Sequence, residues 1–176
     1  MATISIAQAR YLGNRNGHAA ILEGGPERPN IKETASQTYA QGAPAYKDSN
    51  GTIAVAVASS NIIGELAGFA QTAATGTTGA EVTYRPVRQG DRYLMNINGT
   101  STTTTALTQQ GNKYMLDLYT GNLVVVNPDA SFDDTKPWVR VLDLYTVVGG
   151  FADGDVVGDT NGRVIVEFGG GSGVQG

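Results

Sequence analysis

Residues 82–99 read VTYRPVRQGDRYLMNING and carry the clearest structural signal in the chain. A short strand at 82–84 runs into Arg85-Pro86-Val87-Arg88 and then a turn at Gln89-Gly90-Asp91. A second run spans 92–98 and stops at Gly99. Tyr93, Met95 and Ile97 fall on one side of it. Arg92, Leu94, Asn96 and Asn98 fall on the other, the period of two expected of a half-buried strand. The chain is therefore predicted to contain paired strands, and the same pattern recurs on both sides.

Downstream, residues 100–105 are nearly all Thr and Ser; an edge strand or a loop would suit them, and β-branched threonine favours the strand. After a turn at 109–112, residues 113–120 alternate, with Tyr114, Leu116 and Leu118 inward and Asp117 and Tyr119 outward. Gly121-Asn122 closes a hairpin into 123–126, and NPDASFDDTK at 127–136 reads as an acidic surface loop. The longest strand-like run, 138–148, ends at Gly149-Gly150, and 163–168 closes the body with Val164, Val166 and Phe168 inward.

Upstream, residues 37–41 form a short run, and Asn50-Gly51 is a strong hairpin signal. In 52–58, the large residues Ile53, Val55 and Val57 are expected to fill the core, with Ala54, Ala56 and Ala58 under close cover. Residues 61–70 contain Leu and Ala, but Gly64 and Gly68 would each cost a helix about 1 kcal/mol. A bent strand through 66–71 is predicted instead, followed by a small-residue loop at 72–80. The sum is an all-β body at 35–168, a compact barrel or sandwich of about eight to ten short strands.

Residues 1–34 differ. Two prolines and two glycines fall within 23–30, which resists helix and central strand alike. Ile4, Ile6, Ile21 and Leu22 have no use in a solvated tail, so this segment is predicted to be an extended arm lying on a neighbouring subunit. Residues 169–176, GGGSGVQG, read as a flexible tail.

Composition narrows the function. In 176 residues the net charge is −4 with no Lys/Arg cluster, which disfavours nucleic-acid binding. There is no cysteine, hence no disulfide or thiolate metal site. No signal peptide is read at the N-terminus, and no apolar stretch approaches the roughly 20 residues needed to span a bilayer. The single histidine, His18, lies in the glycine-rich arm, away from any nucleophile and base pair. Asp153, Asp155 and Asp159 resemble an oxygen-rich cation loop but lack EF-hand spacing; Asp at turns more often bonds its own backbone. No phosphate loop is present and no cofactor is implied. Arg85, Arg88 and Arg92 form the densest basic patch, suited to an acidic partner surface. The inventory makes no case for an enzyme.

The stretches Gln41-Gly42-Ala43-Pro44-Ala45-Tyr46, Asn50-Gly51 and Ile63-Gly64-Glu65-Leu66-Ala67-Gly68-Phe69-Ala70 resemble small β-rich head decoration, or structural cement, proteins of tailed bacteriophages. Residues 86–96 and the ending from Gly158-Asp159 to Phe168 fit the same pattern, so the resemblance covers 35–168. It implies a homotrimer assembled in a bacterial cytoplasm that docks on the major capsid protein at the virion head surface. Arm residues Ile4, Ile6, Ile21 and Leu22, with Arg85, Arg88 and Arg92, would make capsid or subunit contacts. A tail-associated module that binds a receptor or glycan is the alternative.

Overall fold

The computed structural model describes residues 1–14, 28–32, 38–47, 53–55, 58–59, 62–70, 74–75, 81–119 and 123–170. The first ten strands are β1 Arg10–Asn14, β2 Arg28–Lys32, β3 Thr38–Tyr39, β4 Pro44–Lys47, β5 Ile53–Val55, β6 Ala58–Ser59, β7 Ile62–Ile63, β8 Gly68–Ala70, β9 Ala74–Thr75 and β10 Glu81–Pro86. Five more follow: β11 Asp91–Ile97, β12 Lys113–Tyr119, β13 Leu123–Asn127, β14 Trp138–Leu144 and β15 Arg163–Phe168. Eleven of them have three or more residues, and among the described residues helix is confined to a 3₁₀ turn at Leu107–Gln109, so the expected all-β class holds.

The last five strands close into a barrel. β11 pairs antiparallel with β15, β15 with β14, β14 with β12 and β12 with β13. β13 then returns to β11 in parallel, placing Asn96 opposite Val125 and Ile97 opposite Val126. Alternation sends one face of every strand inward, which gathers Tyr93, Met95, Ile97, Leu116, Val124, Val126, Val164, Val166 and Phe168 in one core. On β14 the register slips between Val141 and Asp143. Such a bulge lets Val141 and Leu144, three residues apart, both reach the interior. Tyr93, Phe168 and Phe69 pack against one another in edge-to-face and tilted pairs with centroids 5.3 to 6.4 Å apart, joining the barrel to the layer beside it.

That layer is a five-stranded sheet ordered β2-β10-β8-β4-β5. Its own small core sets Ala43, Ala45, Ala67 and Ala70 around the buried ring of Tyr84. Gly68 is needed here, because a Cβ would sit 2.1 Å from the Arg85 carbonyl oxygen. Of the bent strand expected over 66–71, β8 forms at Gly68–Ala70, and residue 71 lies outside the described residues.

Four expectations change. First, Val55, expected to fill the core, is only half-buried against the alanine core, while Ala54 is buried as expected of the covered side. Second, residues 100–105 form no strand. Asp129 accepts hydrogen bonds from the Ser101 and Thr102 amides at 2.6 and 2.7 Å, and this capping outweighs the β preference of threonine. Third, the run expected over 138–148 ends at Leu144, after which Tyr145 stacks on Phe151 with centroids 4.4 Å apart. Fourth, the first part of the arm lies on its own body: β1 pairs antiparallel with β11. Leu94 and Asn96, expected on the solvent side, are thereby buried. The 169–176 tail falls largely outside the described residues.

Leu116 has no exposed surface in the barrel core. Leu116→Ala is expected to destabilise the fold by about 2–5 kcal/mol. Urea denaturation would show this as a lower midpoint at unchanged slope, whereas a shift under about 0.5 kcal/mol would mean that the core does not close around this residue.

Candidate functional site

Asp153, Asp155 and Asp159 have separate structural roles. Asp155 is buried and takes a two-pronged hydrogen bond from Arg163, 2.7 Å from Nη2 and 3.1 Å from Nε, while the Arg163 backbone amide donates to its other oxygen. Asp159 is buried and accepts from the Ala2 amide at 2.6 Å and the Val156 amide at 2.9 Å. Asp153 accepts the Tyr145 hydroxyl. The three carboxylates thus point to three different partners, and among the described residues no three His, Cys, Asp or Glu side chains converge on a metal position. His18 lies outside the described residues.

The arm residues divide. Ile4 and Ile6 are half-buried, and the Ile4 amide donates to the Thr160 carbonyl. Asn96 fixes the segment further: its side-chain oxygen accepts from the Ala7 amide and its nitrogen donates to the Asn161 carbonyl. These contacts are within one chain and tie the segment carrying Ile4 and Ile6 to its own body. Ile21 and Leu22 lie outside the described residues.

Nor is the arginine trio a uniform patch. Arg92 pairs with Glu167 at 3.5 Å, and the Arg85 guanidinium lies over the Tyr11 ring at 5.1 Å. Arg88 is half-buried, with its backbone amide bound to Asp91. Two of the three side chains thus have a partner within the chain, Arg92 an ion pair and Arg85 an aromatic ring.

The most prominent exposed feature was not read from the sequence. Val147 and Val148 follow β14; Val156 and Val157 precede β15. The two turns are pinned together by the Thr146–Asp155 bridge and by the Val147 amide donating to the Asp155 carbonyl. Val148 is 92% exposed and Val156 59%. Exposed Leu107 and Met1 adjoin them, since Gly158 bonds Thr105 and lies against the Met1 side chain. One end of the barrel thus presents an apolar rim. Its sequence signature is the repeated Val-Val-Gly, at 147–149 and 156–158, in glycine- and aspartate-rich turns that have no strand to bury it.

No family model, curated protein or solved structure matches this chain. Among the described residues no helix is long and apolar enough to cross a membrane.

Bonding to the Ala2 and Val156 amides holds the Asp159 carboxyl below the usual carboxylate range. A depressed value means the carboxylate supports docking of the first residues fully above the ordinary pKa of about 4, and the support fades as pH falls through the lowered value. Asp159→Asn is expected to speed hydrogen exchange at the Ile4 amide at neutral pH. Unchanged exchange in the variant would mean that Asp159 does not hold the segment.

Proposed function

We propose that the chain is a decoration, or cement, protein of a tailed-phage head, binding the outside of the shell through the apolar rim at one end of the barrel. The observation that carries this reading is the exposure of Val147, Val148, Val156 and Val157 on two interlocked turns. Contiguous exposed apolar surface marks association surfaces. The body behind the rim suits shell binding, since a closed barrel has few free edges to stray into other pairings, and its turn carboxylates are consumed internally. The resemblance of residues 35–168 to cement proteins supplies the partner, the major capsid protein. Modest rim contacts gain strength when repeated, so a homotrimer on a symmetric shell would bind through many weak sites. The reading needs no catalytic or cofactor chemistry.

A glycan-binding tail module would need a free aromatic platform. Trp138 is a poor one: Gly169 packs so closely on its ring that a Cβ there would sit 2.1 Å away, and Lys113 lies 4.4 Å from the ring centroid.

Immunogold labelling of purified phage particles, with antibody raised against this chain, is expected to decorate the head; gold at the tail tip would favour the receptor module, and bare particles would sink both. Val148→Asp, at a position almost fully in water, is expected to leave the melting temperature within about 1 °C while reducing co-sedimentation with expanded shells by tenfold or more. Undiminished co-sedimentation would remove the rim from the interface.

A further inference from the structure

Between the N-terminal segment and the second sheet lies a cleft of about 580 Å³, within the range of roughly 300–1,000 Å³ typical of small-molecule sites. Ala7, Ala9 and Tyr11 line one side, Gln41 and Ala70 another, and the buried side chains of Phe69 and Tyr93 lie deepest.

Three buried side-chain polar atoms among the described residues have no hydrogen-bond partner, and two of them belong to this cleft: the Tyr93 hydroxyl and Arg85 Nε. Unpaired buried polar groups are costly and therefore few in folded proteins, so two at one place call for a partner. Both can donate. Burial, reinforced by the Asp91 charge, pushes the Tyr93 phenol far above its ordinary range, so it keeps its proton at physiological pH. A guanidinium N–H offers a donor and no acceptor. What is missing is therefore an acceptor.

The rest of the lining specifies which acceptor. Arg10 and Arg85 border the cleft, and among the described residues no Asp or Glu does, so an anion is favoured. The volume far exceeds the roughly 30 Å³ share of one water, so a bare ion would leave it mostly unfilled. Tyr11, Phe69 and three alanines offer an apolar bed for a hydrocarbon stem. The Arg85 guanidinium is held over the Tyr11 ring, and its planar fork suits a planar partner.

We propose that this cleft binds an organic carboxylate, an acid on an aromatic or aliphatic stem, whose carboxyl oxygens accept hydrogen bonds from the Tyr93 hydroxyl and Arg85 Nε. Gln8 controls entry. Its side-chain amide spans the mouth to donate to the Gln41 carbonyl, and Gly42 lies so close that a Cβ would meet the Gln8 side chain. Both donors are closed to solvent in this structure. Swinging this exposed side chain aside admits the carboxyl group. The acid could be a free metabolite-sized molecule or the C-terminus of a peptide, because the recognised chemistry is the same. The proposal does not rest on the decoration reading.

The test titrates 3-phenylpropionate into the full-length chain and follows backbone amides by NMR. Saturable shifts at Ala9, Tyr11, Ala70 and Arg85 are expected, with 3-phenylpropionamide binding at least tenfold more weakly. Tyr93→Phe and Arg85→Met are each expected to weaken binding by about tenfold. Tyr93→Phe should melt no lower than the parent, since it removes only an unpaired hydroxyl, so a fold defect cannot account for its loss of binding. An acetylated Ala-Phe dipeptide with a free C-terminus, set against its amidated form, separates the sources: tighter binding than 3-phenylpropionate assigns a protein terminus, weaker binding a free acid. No saturable shift up to about 10 mM, or equal affinity in Tyr93→Phe, would overturn the proposal.

Discussion

One edge of β11 has to be covered by two different strands, and much of the molecule follows from that. β15 covers the other edge along most of its length, from Arg92 to Asn96. On the first edge β13 reaches only Asn96 and Ile97, while β1 takes Asp91 to Leu94. Without either partner, a row of backbone N–H and C=O groups would stand unpaired beside a hydrophobic core, a costly arrangement. The parallel half is the more demanding. Parallel neighbours need a long crossover, and here it includes all of β12 and the connection at 98–112. That connection is held by the Asn98 amide on Val126 and by reciprocal bonds of Gly111 and Asn112 with Val141. Closing the barrel and ordering its end loops are thus one event.

The end loops are held mainly by side chains that imitate backbone partners. Asp129 caps Ser101 and Thr102; Gln109 binds the Ala106 amide and the Thr104 carbonyl; Asp155 accepts from the Arg163 amide and Asp159 from the Val156 amide. Short polar side chains compete with strand ladders for the same amides. Here they win wherever the chain must turn between barrel strands, which is why an acidic composition coexists with an all-β fold.

The inward faces were legible because alternation is a local property: Tyr93, Met95 and Ile97, or Val164, Val166 and Phe168, announce a strand whatever lies beyond. What covers the opposite face is not local. Nothing in Leu94 or Asn96 says that residues 5–11 will lie over them, and the polar Asn96 argued for solvent until its amide proved to be the clamp. The half-burial of Val55 has the same origin, since what it packs against, the alanines gathered around Tyr84, comes from distant parts of the chain. Threonine propensity failed at 100–105 because the deciding carboxylate, Asp129, stands 27 residues away. The aspartates of 153–159 could be placed in turns from their neighbours, but that each would find a separate partner required the tertiary fold. For the candidate site, the arginines were visible as a patch and the valines were not, because a count of charge is easy to make and an apolar pair in a turn is easily mistaken for the end of a strand.

The valine rim is informative because the fold does not require it. The turns that carry it are specified by other residues: Gly150 and Gly158 adopt positive φ, Gly154 lets the two turns cross, with a Cβ there falling 2.3 Å from the Thr146 carbonyl carbon, and Asp155 and Asp159 tie the backbone. Polar side chains at 148 or 156 would satisfy the same geometry and would be better solvated. Single exposed apolar residues are ordinary on any surface. Two Val-Val pairs brought side by side by a backbone bridge are not single, and removing such a surface from water is a source of association free energy in proportion to the area covered. A fold that spends its aspartates on holding two turns together, and sets valine at their tips, has arranged its most exposed end for contact with something other than water.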